Sequence, residues 1–141
     1  MKKIILGIIV VFTMFSTGIN HAEAAASTYY CSDVEYKCIG IKFTSWGTNM
    51  AESASIYIPY GAKVLISGST EDNSLFSMSF YPIDSNGASA GPLVGVAPFG
   101  GGDWTEYTNT KAGYYRVRGL CGDSSDQERC VGLGTISFYT E

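Results

Sequence analysis

Phe76-Ser77-Met78-Ser79-Phe80-Tyr81 constrains the fold of this chain more than any other segment. Phe76, Met78 and Phe80 alternate with Ser77, Ser79 and Tyr81, so an extended strand here has one apolar side and one polar side. A helix would scatter the same residues around its circumference. Glu71-Asp72-Asn73-Ser74 before the segment is turn-forming, and Asp84-Ser85-Asn86-Gly87 after it is a hairpin turn signal.

The same period of two recurs along the chain. Ile39, Ile41 and Phe43 alternate, and Trp46-Gly47-Thr48-Asn49 then breaks the pattern as a turn. Ile56 and Ile58 share a face, and Pro59 stops that strand or marks it as an edge. Lys63 to Gly68 and Leu93 to Val96 read as strands, Pro98 to Trp104 as a loop, and Glu106 to Thr108 as the start of another strand. Lys111 to Tyr139 reads as a turn, a strand, a loop closed by Cys121 and Cys130, and a final strand. Tyr115, Val117, Ile136 and Phe138 are its expected core residues. Outside the N-terminal segment, apolar residues never recur with helical spacing over a useful length. Turn signals come every ten residues or so. That spacing predicts an all-β chain, a single antiparallel β-sandwich of roughly seven to nine strands.

The N-terminus has a separate logic. Lys2 and Lys3 precede an apolar run from Ile4 to Phe15, and the segment ends in Ala22-Glu23-Ala24-Ala25-Ala26. A positive start, a short apolar stretch and an A-x-A site make a secretory signal peptide over residues 1–26, cleaved after Ala24 or Ala26. The run is too short for a spanning helix. Thr28-Tyr29-Tyr30 before Cys31 lacks a lipoprotein context, so the expectation is free secretion. The lean positive start is bacterial in style. Residues 27–141 then form one domain, long enough for a small core.

Charge narrows the partners. Taking Lys2, Lys3 and Glu23 from the nine basic and thirteen acidic residues leaves seven against twelve, a net charge of −5. Such a chain has no basic stripe for a phosphate backbone, so nucleic acid and anionic membranes are poor partners, and no membrane insertion is expected. Four cysteines in a secreted chain read as two disulfides, with three pairings open. Sequence proximity favours Cys31–Cys38 and Cys121–Cys130. The rival pairing ties the N-terminal segment to the C-terminal loop through Cys31–Cys130.

Absences decide much of the chemistry. The single histidine, His21, lies in the signal peptide. Without it the mature chain has no Ser-His-Asp or Cys-His mechanism and no ordinary zinc site. Phe99-Gly100-Gly101-Gly102-Asp103 lacks the Lys-Ser/Thr of a phosphate loop.

The residues left that could carry function fall into five groups. Asp103 and Glu106 flank Trp104, the arrangement a carboxylate glycoside hydrolase would need, although Asp103 as a turn cap and a solvated Glu106 explain it more simply. Asp123, Asp126 and Glu128 between Cys121 and Cys130 offer oxygen ligands that suit calcium, against a plain solvated loop. Asp84 and Asn86 could hold an ion but first of all make a turn. Trp46, Trp104, Tyr107 and Tyr114, with Phe99, could build a stacking surface for sugar rings. Tyr114, Arg116 and Arg118 share one side of their strand, where they could recognise a carboxylate or an acidic glycan, or simply pair with acidic side chains across the sheet.

The order of features resembles the bacterial pre-peptidase C-terminal domains and their jelly-roll relatives. The matching stretches are Ile58-Pro59-Tyr60-Gly61-Ala62-Lys63-Val64, Met78 to Gly87, and Lys111-Ala112-Gly113-Tyr114-Tyr115-Arg116-Val117-Arg118. The resemblance spans residues 54–139 and implies a jelly-roll sandwich with an accessory or binding role. The two cysteine pairs are additional to that pattern. The leading expectation is a secreted, non-enzymatic module without a required cofactor, binding a carbohydrate, a cell-wall surface or a partner protein. A small secreted toxin or antimicrobial and a small carboxylate hydrolase are the alternatives.

Overall fold

A computed structural model describes residues 26–32, 37–44, 47–123 and 128–141. The N-terminal segment through residue 25, where a signal peptide is expected, and Trp46 and Asp126 lie outside the described residues. Ten strands are described, β1 (Ala26–Ser32), β2 (Lys37–Phe43), β3 (Met50–Glu52), β4 (Ile56–Ile58), β5 (Lys63–Thr70), β6 (Met78–Ile83), β7 (Val94–Val96), β8 (Gly102–Thr108), β9 (Gly113–Cys121) and β10 (Gly132–Tyr139). The first sheet has the order β1-β2-β10-β5-β8. The second has the order β3-β9-β6-β7, with β4 also paired to β9. Every pairing is antiparallel.

This strand order is a jelly roll. Leaving β1 aside as an added edge, the chain crosses from β2 to β3 and β4, returns to β5, crosses to β6 and β7, and then alternates through β8, β9 and β10. The all-β sandwich predicted from period-two alternation is the fold observed. The count exceeds the expected seven to nine for two reasons. Ala26–Ser32 adds an edge strand, and one crossing strand is split into β3 and β4 along β9. Ser53 makes the split tolerable: its N–H donates to the Val117 carbonyl, and its Oγ accepts the Val117 N–H at 3.0 Å. A buried backbone donor that loses its ladder partner needs such a substitute.

The core lies between the sheets. Ile39, Ile41 and Phe43 of β2, Val64 and Ile66 of β5, Met78 and Phe80 of β6, Val117 of β9 and Ile136 of β10 are all buried. Tyr115 and Phe138 join them, as their strand parity predicts, while Phe76 only packs against the core from its margin. Gly68 of β5 and Gly134 of β10 are register partners, and the Phe80 ring of the opposite sheet lies directly on both. Glycine inside a strand marks such a close approach.

The cysteines are bridged as Cys31–Cys38 and Cys121–Cys130. The first pair faces across the β1–β2 ladder, where the two residues are register partners. The second links the end of β9 to the segment leading into β10, and so staples the last crossing between sheets. The Asp84 turn is also as read. Its carboxylate Oδ1 accepts the N–H groups of Asn86 and Ala88 at 2.9 and 3.0 Å, and Gly87 takes a φ of 81°. That carboxylate is thereby occupied as a turn cap.

Candidate functional site

Strand parity sorts the aromatic residues. The segment read as a loop through Trp104 is already strand from Gly102. Register pairs Trp104 with Ser67, Glu106 with Leu65 and Thr108 with Lys63, so these side chains share the outer face of the first sheet. β10 continues the same face, with Thr135 opposite Ser67, Ser137 opposite Leu65 and Tyr139 opposite Lys63. Trp104, at the sheet edge on β8, is 65 % exposed.

Together these residues shape a shallow depression of about 540 Å³ lined by Leu65, Ser67, Asp103, Trp104, Glu106, Ser137 and Tyr139. The Tyr139 hydroxyl donates to Glu106 Oε2 at 3.0 Å, and Ser67 and Thr135 share a hydrogen bond of 2.7 Å. Asp103 Oδ1 accepts the N–H of Trp104 at 2.8 Å, a bond between chain neighbours at the start of the edge strand. Chemically the depression has a floor of Leu65, Ser67 and Ser137 and an indole wall, with the Asp103 and Glu106 carboxylates and the Tyr139 hydroxyl beside it.

The same register extends across the sheet. Thr135 is paired with Gly40 of β2, and Gly40 with Tyr29 of β1. The Tyr29 ring lies over Gly40, where any Cβ would displace it. Burial raises the Tyr29 hydroxyl above its ordinary pKa. Trp104 and Tyr29 therefore stand at opposite edges of one row of the sheet, about 19 Å apart at four strand spacings.

Tyr107 does not belong to this face. It is three residues from Trp104, so it points inward, packs against the core margin and lies under Gly91. Its hydroxyl is buried with no hydrogen-bond partner among the described residues. Burial, and then the nearby Tyr115, push its pKa up to about 12. Tyr107 and Trp104, grouped together from the sequence, thus lie on opposite faces of β8, because a strand from Gly102 gives them opposite parity.

Tyr114, Arg116 and Arg118 do share one side of β9, but on the second sheet, away from Trp104. The two arginines converge on Glu52 of β3. Arg116 Nη1 lies 2.5 Å from Glu52 Oε2, and Arg118 Nη2 and Nε lie 2.6 and 2.9 Å from Glu52 Oε1. Arg118 also stands 5.9 Å from the centre of the Tyr81 ring. Hydrogen bonds to Tyr81 and Glu52 raise the Arg118 pKa further. The expected carboxylate receptor already holds a carboxylate of its own chain, the cross-strand alternative weighed from the sequence.

Glu52→Gln is expected to destabilise the fold by about 1 kcal/mol, since it leaves two partly buried guanidinium groups side by side with only an amide between them. Thermal melts at low and high salt check this. The loss should shrink as salt screens the Arg116–Arg118 repulsion, and a loss independent of salt would contradict the ion-pair account.

Phe99 is exposed on the loop before β8, with a φ of 59°. Asp123 and Glu128 are exposed, and Asp126 lies outside the described residues. Among the described residues, no group of three His, Cys, Asp or Glu side chains is placed to hold a metal ion. No helix among them is long and apolar enough to cross a membrane.

No family model matches the chain, and no curated protein matches it. Among solved structures, the carbohydrate-binding module CBM6cm-2 of Cellvibrio mixtus lichenase 5A, in complex with cellotriose, aligns at 12 % identity over 84 % of this chain and 88 % of its own, with a TM-score of 0.42. The Cupin_2 domain of an XRE family transcriptional regulator from Enterobacter cloacae aligns at 10 % identity over 83 % of this chain and 99 % of its own, with a TM-score of 0.42. The K1 cleaved adhesin domain of Lys-gingipain from Porphyromonas gingivalis W83 aligns at 13 % identity over 84 % and 92 %, with a TM-score of 0.40.

Proposed function

We propose that this chain is a secreted, non-enzymatic module that binds an uncharged glycan on the outer face of its first sheet. One observation carries the reading: a tryptophan 65 % exposed on an edge strand, beside a depression lined by hydroxyls and carboxylates. An exposed indole beside a hollow offers a broad apolar face with a polar edge for a ligand to cover. The C–H face of a pyranose ring is apolar and its hydroxyls point outward around the rim. An aromatic wall flanked by Ser67, Ser137, Glu106 and Tyr139 suits both parts of that ligand.

Charge selects an uncharged glycan over an acidic one. Asp103 and Glu106 sit in the depression, and the arginines that would have welcomed an anion are engaged by Glu52. Each depression carboxylate also has a partner within the fold, Trp104 N–H for Asp103 and Tyr139 for Glu106, which favours a supporting role over catalysis. The two disulfides support export to an oxidising compartment, as the signal peptide over residues 1–26 implies. The kinship with pre-peptidase C-terminal domains belongs to the same proposal, supported by the jelly-roll order and the Asp84 turn.

Retention on insoluble polysaccharides tests the reading. Trp104→Ala is expected to weaken binding by about thirtyfold or more, the effect of losing a tryptophan anchor. Leu93→Ala, an exposed apolar change elsewhere, should leave it intact. Retention is expected to survive a calcium chelator, because the depression uses none of the residues between Cys121 and Cys130. Equal retention of the parent protein and Trp104→Ala would sink the proposal, and glycan cleavage lost in Asp103→Asn would replace it with an enzyme.

A further inference from the structure

A second depression adjoins the first. It has a volume of about 360 Å³ and is lined by Lys37, Tyr57, Pro59, Phe138, Tyr139 and Thr140. Tyr139 is common to both. Its position at the end of β10 makes it the ridge between the outer face of the first sheet and the cleft beside β4.

The second depression repeats the chemistry of the first. Tyr57 is 49 % exposed and meets the more open Tyr114 edge to face, with ring centres 5.3 Å apart. An aromatic wall again stands beside polar groups, here Lys37 and Thr140. The wall is held in place. Buried Asn109 donates through Nδ2 to the carbonyls of Pro59 at 3.0 Å and Lys111 at 2.8 Å, and its own backbone pairs with Gly61 and Ala62. That knot fixes the corner that carries Tyr57, so a ligand would find the ring already oriented.

We infer that the two depressions form one continuous site, and that its ligand is a long, uncharged glycan chain crossing Tyr139 from Trp104 to Tyr57. Two successive hollows of like chemistry fit a ligand that repeats along its length, whereas a compact ligand needs only one. This rests on the glycan reading of the first depression. It adds chain length as the recognised property and Tyr57 as a binding residue. Lys37 contributes a hydrogen-bond donor to sugar hydroxyls while its ammonium rests 5.9 Å from the centre of the Phe138 ring.

A length series of cello-oligosaccharides and N-acetylated chito-oligosaccharides, from disaccharide to hexasaccharide, tests this by calorimetry on the intact protein. The expected result is a rise in affinity of about tenfold between the short and long members of the series that binds. Tyr57→Ala should abolish that rise, whereas Trp104→Ala should weaken every length. Unchanged melting temperatures would show that the variants remain folded, and Lys37→Ala gives a second variant that leaves the backbone alone. If the long chain keeps its advantage in both Tyr57→Ala and Lys37→Ala, or if Tyr29→Ala removes it instead, the continuous site is wrong while the first depression stands. If no member of either series binds but the protein still holds a polysaccharide through Trp104, the second depression has no part in it. If nothing binds at all, the glycan reading falls and takes this inference with it.

Discussion

Phe80→Ala is expected to cost about 3–5 kcal/mol of folding free energy, the range for emptying a fully buried aromatic site. Phe80 is 0 % exposed, and its ring fills the space between three glycines: Gly68 and Gly134 of the facing sheet and Gly119 on the neighbouring strand. The sheets approach closely at this point because no side chain stands between the ring and the facing backbone. The cavity left by alanine would therefore be walled by β-ladder backbone, which relaxes poorly. Gly134→Ala attacks the same contact from the other side. Its methyl would occupy the volume of the ring, and overpacking of that kind costs about 1–3 kcal/mol. The decisive measurement is a double-mutant cycle by chemical denaturation. In the Phe80→Ala background the added methyl has a hole to enter, so Gly134→Ala should cost far less there than in the parent. Strictly additive losses would mean that ring and glycine do not touch.

The extent to which the fold could be read from residues follows from what kind of signal each part leaves. Strands with one wet face were legible: Ile39-Ile41-Phe43, Met78-Phe80 and Tyr115-Val117 alternate, and each lies inward as read. The cystine pairing was legible through loop length alone. β1 and β3 left no such mark, because they are edge or interrupted pieces whose pairing is decided by what lies beside them. Trp104 is exposed, and Asp103 and Glu106, grouped with it from the sequence, line the same depression, but its other company was not legible. Sequence proximity grouped it with Tyr107, and aromatic character grouped it with Tyr114. Parity sends Tyr107 into the core margin, and topology puts Tyr114 on the other sheet. Its actual neighbours, Leu65, Ser67, Ser137 and Tyr139, come from strands that are distant in sequence and adjacent only by register. One cue was available. Extending the strand back from Glu106 to Gly102 would have separated Trp104 from Tyr107, but glycine-rich Gly100-Gly101-Gly102 reads as loop when taken alone.

Loss of the Cys121–Cys130 bridge is expected to be the second large effect, and to exceed loss of Cys31–Cys38. The two loops are of similar length, with sequence separations of 9 and 7, so restricting the unfolded chain contributes nearly the same for each, about 3 kcal/mol. The native side differs. Cys121 and Cys130 are 2 % and 0 % exposed and belong to the main core cluster, whereas Cys31 and Cys38 are only half-buried on the added edge of the first sheet. Cys121→Ala with Cys130→Ala thus removes packed sulfur as well as a constraint. It also frees the last crossing between the sheets, which delivers β10 and with it Tyr139 to both depressions. Cys31→Ala with Cys38→Ala removes a clasp from two residues that the β1–β2 ladder already pairs. At about 4 °C per kcal/mol for a domain of this size, the buried double variant should melt roughly 10–20 °C below the parent, and the edge variant should fall clearly less. Calorimetric melts of both variants measure the difference. Equal losses would show that loop closure alone accounts for the bridges and that the buried sulfurs add nothing to the core.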